Sequence, residues 1–135
     1  MNRVYSIVRY ILLFLLAGFV ASTFQSQLMG LYKYAFPNES GGGFDINFTG
    51  IVVLFYSIEF LLPFLIIAFG DRLRYWVAGV VVVLLGIFEF ATDQFNFHIP
   101  LLLLVSGLML GLLLRWIAAQ TLGKMPTLEQ YKKYF

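Results

Sequence analysis

The sequence predicts an all-α membrane protein, an antiparallel bundle of four transmembrane helices followed by a short amphipathic helix in the C-terminal tail. Three observations predict it. Of the 135 residues 61% are hydrophobic and 12% are charged, whereas soluble domains are about 45–50% apolar and about 25% charged. The apolar residues gather into four runs, each close to the roughly 20 residues that a helix needs to cross a bilayer. Of the nine basic residues, Lys33 alone falls on the far side of the map those four crossings create. Four spans fill a single integral membrane domain over 1–135 and leave little for a soluble module. The absence of cysteine excludes disulfides, thiolate metal sites and thiol nucleophiles, and a net charge of +2 is too small to suggest nucleic acid.

The first span is expected over about 10–31. Arg3 and Arg9 before an apolar run resemble the start of a signal peptide, with small residues at Ala17 and Ala21 for cleavage. The helical pattern nevertheless continues through Phe24 and Leu28, so the helix is expected to be uncleaved. Gly18, Ser22 and Ser26 recur at every fourth position, a small-residue stripe on which another helix can approach closely. The stretch 32–45 contains Pro37 and the three glycines 41–43 and reads as a flexible connector. Asn38-Glu39-Ser40 and Asn47-Phe48-Thr49 fit the glycosylation pattern, a triplet that is common by chance.

The second span is expected over about 48–70, and Asp71-Arg72-Leu73-Arg74 makes a tight charged turn into the third, over about 75–92. Gly79 and Gly86, seven apart, share a face of the third span and suit close helix contact. After a polar link the fourth span runs over about 99–119, with Pro100 in its first turn, where the missing donor costs nothing. Gly107 and Gly111 form a small-xxx-small pattern for a tight helix pair. In the tail, Thr127 and Gln130 have capping-box spacing, and Leu128, Tyr131 and Phe135 share a face beside Lys132 and Lys133. An interfacial helix over about 127–135 follows.

Four crossings return both termini to one side, and Arg3, Arg9, Arg72, Arg74, Arg115, Lys124, Lys132 and Lys133 flank that side. The expected location is therefore a bacterial cytoplasmic (inner) membrane with both termini in the cytoplasm. Trp76 and Trp116 fall just inside the same end of their helices, at the level where indole rings favour the interface.

Glu59 lies near the middle of the second span, where insertion scales put the cost of a charge at about 2.5–3.5 kcal/mol. Pro63, four residues on, has no N–H to offer the Glu59 carbonyl. With Tyr56 one turn above, and with Gln25 and Glu89 between that level and the outer surface, these residues form the candidate ligand or ion site. The alternative is that Glu59 is a protonated acid that hydrogen-bonds a neighbouring helix. Glu89, Asp93 and His98 are the one set that resembles metal ligands. A single histidine rules out a bis-histidine haem and a zincin motif, and no cofactor is expected. At this depth resolution polar groups occupy only the outer half of the bundle, which counts against a conventional transport path through one chain.

The leading expectation is a non-enzymatic accessory or structural subunit, packed through its glycine seams into a homo-oligomer or with other membrane protein subunits. The alternatives are a small oligomeric channel, carrier or binder of a cation or lipid-like ligand centred on Glu59, and an outer-surface enzyme that modifies lipid head groups.

Overall fold

The structure is a computed structural model that describes residues 3–35, 37, 49–92 and 97–122. The chain forms helices α1 (Arg3–Thr23), α2 (Gln25–Ala35), α3 (Thr49–Phe69), α4 (Arg74–Thr92) and α5 (His98–Leu122). Four of them, all but α2, are long and apolar enough to cross a membrane. The stretch 38–48 with its glycosylation triplets and glycines, the link at 93–96 and the tail 127–135 lie outside the described residues.

The first helix long and apolar enough to cross is Val4–Thr23, where the expected span is about 10–31, and a second helix, α2, takes up residues expected partly in the span and partly in the loop. The break falls at Phe24. Ser22 and Thr23 both donate their hydroxyls to the Phe19 carbonyl, at 2.9 and 2.8 Å, and such back-bonding competes with the helix ladder. The backbone bonds Phe24 N to Val20 O (3.1 Å) and Leu28 N to Phe24 O (3.0 Å) carry the ladder across from α1 into α2.

Helix α3 is the hub, packed by each of the other four. Its apolar faces supply Leu62, Leu65, Ile66 and Ile67 to the core, where they meet Leu13 and Ala17 of α1 and Ala78 of α4. The closest seam is with α5. Pro100, Leu104, Gly107 and Gly111 are buried at helical spacing. Gly107 lies on the Phe60 backbone, and a Cβ on Gly111 would meet the Phe64 carbonyl oxygen at 2.9 Å. Without a side chain at these two positions the helix backbones meet directly, which is how small residues serve membrane packing.

The other small-residue stripes behave differently. A Cβ on Gly18, Gly79 or Gly86 would meet nothing within 4 Å, and Ser22 and Ser26 are exposed. On α1 the buried stripe is Leu13, Ala17 and Ala21, one position earlier. On α4 it is Arg74, Ala78 and Glu89, with Val81 and Leu85 partly buried. One position is about 100° of helix, so these glycines and serines do not form a seam within this chain.

Candidate functional site

Three places gather polar chemistry or open space. The first is the acid pair. Glu59 is 1% exposed, and neither carboxyl oxygen has a hydrogen-bond donor among the described residues. The group that reaches it is the Glu89 carboxyl of α4, itself buried. Two ionised carboxylates have no proton to offer one another, so this contact becomes a hydrogen bond only when the pair holds a proton. On the sequence alone Glu89 lies closer to the membrane surface than Glu59. Phe55 stacked on Phe88 at 5.7 Å joins α3 to α4 in the neighbouring turns.

The rest of the expected Glu59 site is dispersed. Gln25 donates its side-chain amide to the Gly50 carbonyl at 2.9 Å and ties α2 to the start of α3. Pro63 is buried inside α3, where it removes the donor for the Glu59 carbonyl. Tyr56 turns to another face, with its ring 6.2 Å from that of Tyr32 on α2. Of the metal-like set, His98 is exposed at the start of α5, Glu89 faces Glu59 and Asp93 lies outside the described residues. Among the described residues no group of three acids or histidines gathers to hold a metal ion.

The second place is a part-open cavity of about 520 Å³ between the α1–α2 junction, α3 and the first turns of α5. Val20 and Phe24 line it from the junction, Leu28 and Tyr32 from α2, Val53, Tyr56, Ser57, Phe60 and Leu61 from α3, and Ile99 and Leu103 from α5. The walls are apolar. The Ser57 hydroxyl is turned back onto the Val53 carbonyl at 2.6 Å, so it adds little polarity. Gly107 holds α5 against Phe60, one of the lining residues, at the same level. Its volume lies within the roughly 300–1,000 Å³ of small-molecule pockets.

The third place is a polar knot at the opposite end of the bundle. Asp71, in the α3–α4 turn, accepts hydrogen bonds from the Ser6 hydroxyl and, at 2.5 Å, from the Tyr10 hydroxyl, both on α1. The Leu73 amide adds a third at 3.0 Å. Burial pushes the Asp71 carboxyl up, but the Ser6 and Tyr10 hydroxyls, the Leu73 amide and the charge of Arg9 outweigh it and hold the group below its ordinary value. Arg74, also buried, donates to the backbone carbonyl of Asp71 at 2.7 Å and to that of Ile67 at 3.4 Å. Arg115 donates to the Tyr75 hydroxyl at 3.2 Å, with its guanidinium 5.7 Å from the ring centre. The sequence reading treated 71–74 as a charged turn alone. The signal for more was Ser6 and Tyr10, four apart and hence on one face of an otherwise apolar helix.

Compared with protein-family models, with curated proteins and with solved structures, the chain matches none.

Proposed function

We propose that this chain is a non-enzymatic integral membrane protein that holds the apolar chain of a lipid-like ligand in the cavity between the α1–α2 junction, α3 and α5. The observation that carries the reading is the cavity itself, about 520 Å³ with apolar walls. Left empty, such walls would forfeit dispersion contacts on one side. In a bilayer the abundant material of matching chemistry is acyl or prenyl chain. The ligand is thus not centred on Glu59, which lies on another face of α3, and the two Tyr rings at one end of the cavity offer amphipathic contacts where a chain meets a head group.

The charge asymmetry supports an orientation with the Asp71 end of the bundle in the cytoplasm of a bacterial cell, since Arg9, Arg72, Arg74 and Arg115 cluster there. The test is binding of a fluorescent long-chain fatty acid to the purified protein. Saturable binding that Ser57→Phe abolishes, and that Leu113→Phe on an exposed face leaves intact, supports the reading. Equal binding by both variants contradicts it.

A second reading, a subunit of a larger membrane assembly, is favoured by α4. It is little covered by the rest of the chain, and Gly79 and Gly86 have open space above them. Extraction under mild detergents that yields only monomer from native membranes would remove this reading.

A further inference from the structure

The Glu59 and Glu89 carboxyls take no part in the cavity, which no α4 residue lines. Glu59 stands at the midpoint of the span Gly50–Phe69 with 1% of its surface exposed and no donor to either oxygen. Among the described residues no basic group acts on it. Between Tyr10 and Thr23 α1 carries no ionisable group, and α5 carries none between the exposed His98 and Arg115. From α2 come Tyr32, against Tyr56, and the exposed Lys33 and Tyr34. Among the described residues the one titratable group that acts on Glu59 is Glu89.

With both acids ionised, two like charges would face each other without a counter-ion in a medium that screens poorly. With a proton between them the same contact is a charge-assisted hydrogen bond. That difference falls on the least anchored crossing helix. At its other end α4 is held by Arg74 in the polar knot and by Tyr75 to Arg115. At the Glu89 end the acid pair and the Phe55–Phe88 stack join it to α3.

We propose that Glu59 and Glu89 form a proton-binding site whose occupancy decides whether the Glu89 end of α4 stays docked on α3. Bound, the shared proton joins the helices. Released, it leaves two carboxylates that repel each other, and the Glu89 end of α4 separates while the knot at the Asp71 end stays closed.

The chain has no cysteine, so spin labels can be placed at Ile51→Cys on α3 and Ile87→Cys on α4, both exposed positions, in protein reconstituted into lipid. The wild-type background gives one short inter-label distance in mildly acidic buffer and gains a longer population in alkaline buffer. In Glu59→Gln the amide donates to Glu89 without a titrating proton, so the short distance persists at both. Titration of that variant then releases one proton fewer per chain. Should Glu59→Gln fail to fold, Glu89→Gln carries the same expectations. A wild-type distance that does not respond to pH, or a Gln variant that opens like the wild type, overturns the proposal. Because the cavity has no α4 wall, the fatty-acid experiment and this one succeed or fail independently.

Discussion

Replacing Gly107 by Ala measures how closely α5 is seated on the hub helix. The new Cβ would fall nearer the Phe60 carbonyl oxygen than non-bonded atoms approach, and 3.2 Å from the carbonyl carbon. Comfortable carbon contacts are about 3.5–4.0 Å, and the oxygen contact is the tighter of the two, so one backbone must retreat by roughly 1 Å. Overpacking costs typically about 1–3 kcal/mol, and the better helix propensity of Ala returns about 0.5–1 kcal/mol. The atom met is backbone, which cannot swing aside as a side chain does, so a net loss of about 1–2 kcal/mol is expected. Gly79→Ala is the control. Its Cβ would meet nothing within 4 Å, so only the propensity gain remains, up to about 1 kcal/mol of stabilisation. Unfolding in mixed micelles by increasing SDS, followed by helical circular dichroism, compares the two. If Gly107→Ala is as stable as Gly79→Ala, the close α3–α5 seam is refuted.

The polar ties yield further expectations. The folded Asp71 carboxyl is held below its ordinary value of 3.8, so its ionised form stabilises the fold above that value and the contribution is lost as pH falls through the folded value. Asp71→Asn is expected to cost about 1.5–3 kcal/mol at neutral pH, the range for hydrogen bonds to a charged group. The stability curves of variant and wild type should converge in acid below 3.8, and a constant gap across pH would contradict the account. Gln25→Ala removes the donor to the Gly50 carbonyl and should cost about 0.5–1.5 kcal/mol. The loss should be local, read as faster amide hydrogen exchange in α2 with α4 and α5 unchanged.

What the sequence made legible was decided by hydrophobicity and by residues whose chemistry is local. Four apolar runs mark the crossings, and Pro63 can be read as a missing donor to Glu59 without knowing what surrounds it. Stripe choice was harder. Gly18-Ser22-Ser26 and Ala17-Ala21-Gln25 are adjacent stripes of mostly small residues, and their spacing is equally good. The structure buries Ala17 and Ala21, which carry no hydroxyl to satisfy, while Gln25 on the same stripe reaches the Gly50 carbonyl. Pairing across helices was the other limit. Depth counted at 1.5 Å per residue places Glu89 with Tyr56 and Gln25 in one polar zone above Glu59, and only the folded chain singles out Glu89 as the group that acts on it. The cavity draws its lining from α1, α2, α3 and α5, a convergence that the pattern of no single segment carries.

The most direct test of the lipid-like ligand is native mass spectrometry of the protein released from its own membrane in a mild detergent. The account predicts a bound species of one acyl or prenyl amphiphile per chain, retained by wild type and by Leu113→Phe and lost from Ser57→Phe, whose added ring fills the cavity. Wild-type protein free of any such adduct, or an adduct that Ser57→Phe retains in full, would contradict it.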